Sequence, residues 1–222
     1  MITALILNLI HKYRIFLQQH AKTGINAAKI ACIASCFIIV SFAVHPQEQF
    51  RQYSIIYKGD KVGTMQYYQR VKADTSYFKI ISDVKMRFLF QVAVFSMEES
   101  YFNNGRMTYS NFFRDVNGTR KASRQTRAAN NNYQAYADGK QVASYPGTIE
   151  YNVAHLYCQE PVNIRSVYSD AFQQFLVIEK VENHKYKIRL PDGNYNHYSY
   201  LNGICYQIDV HQSLYDLQIV MN

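Results

Sequence analysis

Six Gly-Asp, Asn-Gly or Asp-Gly pairs punctuate the chain between residues 59 and 203, and they constrain its fold more than any other feature. Gly59-Asp60 follows "QYSIIYK", and Asn104-Gly105 separates "EESYF" from "MTYSNFF". Asn117-Gly118 follows "FFRDV", Asp138-Gly139 separates "YQAYA" from "KQVASY", and Asp192-Gly193 and Asn202-Gly203 complete the series. A two-residue type I′ turn needs positive φ at both central positions, which Asn, Asp and Gly supply at least cost. The flanking runs are rich in β-branched and aromatic residues, as strands are. Some exceed ordinary strand length, so bends or β-bulges are expected in them. The spacing predicts a single antiparallel β domain over residues 44–222.

One segment breaks this pattern. "TIEYNVAHLYCQEP" spaces Ile149, Val153, Leu156 and Tyr157 along one helical face, and Pro161 stops it. A short helix over Tyr151 to Cys158 is expected to cover the concave side of a curved sheet. The most apolar stretch of the domain is "MRFLFQVAVFSM". Taken as one strand, it puts Met86, Phe88, Phe90, Val92 and Val94 on one face and Leu89, Ala93, Phe95 and Met97 on the other. A strand apolar on both sides is either covered twice or lines a greasy cavity. Phe88, Phe90, Val92 and Leu156 are therefore the candidate ligand-binding residues. "RKASRQTRAANNN" has no apolar face and reads as an exposed edge, where Lys and Arg discourage sheet-to-sheet association.

The stretch "LPDGNYNHYSYLNGICYQIDV" carries the most suggestive chemistry. A two-residue turn at Asn202-Gly203 pairs Leu201 with Ile204. A regular ladder from there sends Tyr195, His197, Ser199 and Leu201 inward with Ile204, Tyr206, Ile208 and Val210. His197 and Ser199 then lie side by side. Catalysis would also need an orienting third group and an oxyanion site, and the sequence provides no nucleophile elbow. His155 and Cys158 sit three apart, but a second closely spaced ligand pair is missing, so no zinc site is assigned. Glu98 and Glu99 are adjacent on a strand and face opposite ways, which gives no acid pair between them. The domain is accordingly read as non-enzymatic, with no cofactor and no metal.

The formal net charge of +8 is unevenly placed. Residues 1–43 hold Lys12, Arg14, Lys22 and Lys29 and no acidic residue; taking those four from twenty-four leaves twenty basic against sixteen acidic side chains. A domain this mildly basic is no nucleic-acid binder by charge. Ile30 to Val44 is an apolar or small-residue run behind that basic stretch, and Ser41-Phe42-Ala43 offers a cleavage-like end. Residues 1–43 are expected to be a signal peptide, or an uncleaved signal anchor that would supply the one membrane association. Either role places the domain outside the cytoplasm, periplasmic or secreted. Cys158 and Cys205 are then the cysteines of the domain, free either to pair in an oxidising compartment or to remain separate thiols.

Three stretches carry a family resemblance: "YSIIYKGDKVGTMQ", "FNNGRM" and "LYCQEP…VYSD…YKIRLPDGNYNHYSYLNGICYQIDV". They resemble an uncharacterised family of exported proteins from Bacteroidota-type bacteria, described as a domain of unknown function. More remotely, such proteins are similar to the half-barrel lipoprotein carriers of the bacterial envelope. The resemblance implies a bent antiparallel sheet, half-barrel-like, around one short helix, and assigns no catalytic residue. The combined expectation is an exported envelope protein that binds an apolar or amphipathic ligand, such as a lipid, or an envelope protein partner. The alternatives are a scaffolding protein with a closed core and, behind it, a hydrolase using His197 and Ser199.

Overall fold

The structure is a computed structural model that describes Lys12, residues 47–87 and residues 91–222. Residues 45–222 form one compact unit. The described part folds as fourteen strands: β1 (Gln47–Tyr57), β2 (Asp60–Lys72), β3 (Thr75–Arg87), β4 (Gln91–Asn103), β5 (Arg106–Val116), β6 (Thr119–Ala129), β7 (Asn132–Ala137), β8 (Lys140–Pro146), β9 (Ser166–Ser169), β10 (Gln174–Glu182), β11 (Lys185–Arg189), β12 (Tyr195–Leu201), β13 (Ile204–His211) and β14 (Asp216–Met221). All belong to one antiparallel sheet, in which β8 to β1 run in order, β14 lies next to β1, and β13 to β9 follow in reverse order. The mainly β, single-sheet fold expected from the turn series is the fold observed.

The turns explain the meander. Asn104-Gly105, Asn117-Gly118, Asp138-Gly139 and Asn202-Gly203 have positive φ at both residues, as a type I′ turn requires. The first turn falls one residue earlier than read, at Lys58-Gly59 (φ 52° and 89°). Ala73, Asn130 and His184 also take positive φ, so several hairpins turn without any glycine. Register shifts occur at Ile55/Ile56, Tyr101/Phe102, Arg114/Asp115, Ala135/Tyr136, Lys180/Glu182 and Ser199/Tyr200. These extra residues sharpen local twist and let thirteen-residue strands curl.

Curling brings the two sheet edges together. No ladder joins β8 to β9 among the described residues, and side chains close the seam instead. The Tyr145 hydroxyl on β8 donates to the Gln173 carbonyl, and the Tyr145 and Tyr168 rings meet edge to face at 6.2 Å. Gln173 Nε2 donates to the carbonyls of Gln125 (2.9 Å) and Tyr136 (3.3 Å). Tyr168 Oη lies 2.9 Å from Thr126 Oγ1. The unit is thus a sheet rolled into a barrel-like shell and zipped by polar contacts.

The 147–165 linker fills the shell. Its helical piece is a 3-10 turn, Val153–Tyr157, within the span expected for a short helix, and it packs on β3, β9 and β13. Ile149, Ala154, Leu156 and Tyr157 are buried in one core with Tyr53, Ile55, Met65, Tyr67, Phe78 and Phe102. Tyr157 stacks on Tyr67 at 5.5 Å and meets Tyr53 and Tyr198 edge-on at 5.8 and 6.4 Å.

Two sequence readings need correction here. "MRFLFQVAVFSM" is not one strand, because Arg87 of β3 pairs with Gln91 of β4. Met86 and Val92 still share the inner face, now as cross-strand partners. "RKASRQTRAANNN" is not an edge either, since β6 lies between β5 and β7. Its guanidinium groups lie over rings: Arg120 over Phe113 at 4.0 Å, and Arg127 over Tyr109 and Tyr136 at 5.9 and 5.6 Å. Cation–π contact lets a basic strand sit inside the sheet.

Candidate functional site

The inner face of β4 reads Val92, Val94, Ser96, Glu98, Ser100, Phe102, each opposite an inward residue of β3. Glu98 therefore turns its carboxyl toward the barrel interior. Glu98 pairs laterally with Ile80 and Phe112, which offer it no hydrogen bond. The group that answers it is Asp170, in the turn after β9, which is 2% exposed. Asn152, at the entrance to the 3-10 turn, ties the site to the linker: its Nδ2 donates to Asp170 Oδ2 (2.8 Å) and to Ser100 Oγ (3.0 Å).

Glu98 Oε1 and Asp170 Oδ1 are both buried, and neither has a donor of its own. Two carboxylates cannot bond each other unless one carries a proton. Burial, then the neighbouring Asp170 charge, raises Glu98 well above the ordinary carboxyl range. Burial raises Asp170 as well, with hydrogen bonds from Ser110, Asn152 and Glu98 opposing the rise. The two carboxyls titrate as a pair that retains a proton above the ordinary carboxyl range. This dyad was not read from the sequence, where Glu98 was matched only against its neighbour Glu99. Its inward register beside Val94 and Phe102 was the available signal; the partner, far along the chain, had none.

His155 completes the polar core. With its proton on Nδ1, the ring donates to Asn152 Oδ1 at 2.8 Å and packs on Phe78 (4.4 Å), Phe102 (4.7 Å) and Tyr151 (4.9 Å). Burial lowers its pKa from 6.5 to about 4, so it is neutral at physiological pH. Cys158 and Cys205 are free thiols. Burial raises both, Cys205 to about 12, which leaves neither a nucleophile near neutrality.

Of the four candidate ligand residues, Phe88 and Phe90 lie outside the described residues, as do residues 1–43 apart from Lys12, where a signal peptide or anchor was expected. Val92 packs at the margin of the core, and Leu156 is fully buried in it. The His197–Ser199 hairpin face is reversed. Tyr200 pairs with Cys205 but Ser199 pairs with Gln207, so Tyr206 is an unpaired bulge residue. From the turn onward Tyr198, Tyr200 and Cys205 face inward and Leu201 and His197 do not, the opposite of the expected face, while the bulge on β13 keeps Ile208 inward opposite Tyr198. His197 packs on Tyr195 (5.2 Å) and His211 (5.4 Å) in an outer groove of about 880 Å³, with no hydrogen bond to Ser199.

A rolled antiparallel sheet with a plugged interior defines the chain as a β-barrel-like protein. The chain belongs to the family described as Domain of unknown function (DUF6134), whose model matches residues 53–222. It is similar in structure to a beta-barrel-like protein of domain of unknown function DUF1849 from Brucella abortus. That likeness has a TM-score of 0.52 at 13% identity, covers 81% of this chain and 98% of the other, and concerns the fold. No curated protein matches the chain.

Proposed function

We propose that this is an exported envelope protein that binds a partner on the outside of a closed barrel and carries out no chemistry of its own. One observation carries the reading. The space between sheet and helix, where an apolar ligand would have to lie, is occupied by the linker's own Ile149, Ala154 and Leu156, each at most 1% exposed. A lipid could enter only by expelling them, and burial of one Leu-sized side chain is worth about 1.5–3 kcal/mol. The dyad and His155 are sealed by the same plug, and a reaction needs its groups within reach of substrate. Apolar side chains, in contrast, stand out on the exterior at Phe50, Phe175, Leu201 and Leu214.

Two measurements test this. Titrating the purified full chain with a fluorescent fatty acid should give no saturable one-to-one uptake; stoichiometric uptake would restore the interior-ligand reading. Alkaline phosphatase fused after Asn222 should be active in the native host, and an inactive fusion would contradict export.

A further inference from the structure

A row of five side chains crosses the outer face of the shell in one line. Arg70 on β2 pairs with Tyr77 on β3, Tyr77 with Tyr101 on β4, Tyr101 with Tyr109 on β5, and Tyr109 with Arg127 on β6. Their chain neighbours Phe78, Phe102 and Ser110 are buried, so the row points outward. The three rings follow one another at 4.7 and 6.0 Å, close to the spacing of neighbouring strands, and are tilted by 43° and 47°. Arg127 lies over the Tyr109 ring at 5.9 Å, and Arg70 ends the row on the other side, paired with Glu48 at 2.8 Å. Tyr101, in the middle, is 42% exposed. The solvent face of an antiparallel sheet ordinarily carries polar side chains, so three adjacent tyrosines there need a reason.

Polar side chains border the row on both sides. Two residues along the strands stand Lys79, Glu99 and Asn111 on one side, and Thr75 and Asn103 on the other. The apolar surface is therefore one ring wide, which does not match a bilayer boundary, polar on one side and apolar on the other. It matches a chain of pyranose rings, whose C–H faces stack on aromatic rings while hydroxyls project from both edges, and which advances by a similar step per ring. Two hollows flank Tyr77, one of about 420 Å³ with Gln69 and Lys79 in its lining, the other of about 340 Å³ with Lys72 and Asn103. Neither lysine has an ion-pair partner among the described residues. Glu99, opposite Lys79, instead accepts from Tyr77 Oη at 3.2 Å. Two unanswered ammonium groups beside a stacking surface suit an anionic ligand. Residues 1–47 contain no carboxyl side chain that could answer them from within the chain.

We propose that this row is a binding site for an acidic polysaccharide, laid across β2 to β6 with its sugar rings on Tyr77, Tyr101 and Tyr109. Lys72 and Lys79 hold its carboxylate or sulfate groups, and Asn103 and Asn111 bond its hydroxyls. The tyrosines set the direction of the chain, and the lysines select its charge. This deepens the reading of the domain as an exterior binder and rests on it.

Isothermal titration of the full chain tests this with a galacturonate hexamer, its methyl ester and a chondroitin sulfate hexamer. At least one of the two acidic hexamers should bind saturably, and galacturonate about tenfold more tightly than its neutral ester. Tyr101→Ala should weaken binding about tenfold, whereas Tyr101→Phe, which keeps the ring, should not. Lys72→Gln combined with Lys79→Gln should bring galacturonate down to the affinity of the ester, and this variant decides the matter if Tyr101→Ala does not fold. No saturable binding of either acidic hexamer at millimolar concentration overturns the proposal. So does binding that Tyr101→Ala leaves unchanged, because charge alone is then at work. Binding to phosphatidylglycerol vesicles that Tyr101→Ala abolishes assigns the row to a membrane and also overturns it. A lipid-free barrel that takes up no hexamer would defeat this inference alone, while a lipid-filled barrel that binds one would defeat only the closed-core reading.

Discussion

Asn152 Nδ2 donates to Asp170 Oδ2 at 2.8 Å, joining the linker that plugs the barrel to the turn that zips its seam. The same amide reaches Ser100 on β4, so one side chain holds three separate parts of the chain. N152A should destabilise the protein by about 3 kcal/mol, since it removes the donor to the buried Asp170 carboxyl and the bond to Ser100 together. N152D should be worse at neutral pH and recover on acidification. Urea unfolding at pH 5 and pH 7.5 checks both.

Glu98 holds its proton in the folded state above the ordinary value of 4.5. Between that value and the raised one the folded state binds more protons than the unfolded, so stability falls as pH climbs through the window. E98Q supplies an amide donor to Asp170 without a proton. It should flatten that alkaline fall and leave the protein as stable or more stable at pH 7.5. E98A should cost about 1–3 kcal/mol, because Asp170 Oδ1 then has no donor. Thermal melts across pH 4.5–8.5 separate the two variants.

His155 acts in the opposite sense. Its folded pKa of about 4 lies below the ordinary 6.5, so the unfolded state takes up the proton first and stability is lost as pH falls from about 6.5 toward 4. At about 1.4 kcal/mol per unit the full loss is about 3 kcal/mol. Following the histidine ring signals by NMR should show His155 as the residue that stays neutral at pH 5.

How much of this could be read from residues alone depended on distance along the chain. Turn chemistry is local, so Asn104-Gly105 and Asn202-Gly203 fixed their hairpins, while the turn at Ala73 has no such mark and went unseen. The inward face of β12 is the one with Tyr198 and Tyr200, because two large aromatic rings outweigh His197 and Ser199. The unpaired Tyr206 on β13 lets both Cys205 and Ile208 face in with them, a phase shift that a period-two pattern does not show. The plug was legible from the spacing of Ile149, Leu156 and Tyr157, yet whether it filled the barrel or roofed a cavity depends on side-chain volumes from many strands. The Glu98–Asp170 pair is a contact between distant segments with no sequence mark on either.

The seam makes its own prediction. Gln173 takes positive φ (54°) and places its amide on three acceptors of β6 and β7, across the seam. Q173G relieves the backbone conformation but loses the bonds, so a net loss of about 1–3 kcal/mol is expected. Hydrogen exchange should quicken in β8 and β9 before it does in β2 and β3.

Native mass spectrometry of the protein purified from its native cells bears most directly on the plugged barrel. Ions at the mass of the polypeptide alone, with or without residues 1–43, are predicted. A lipid or other apolar molecule retained at one per chain would contradict the account.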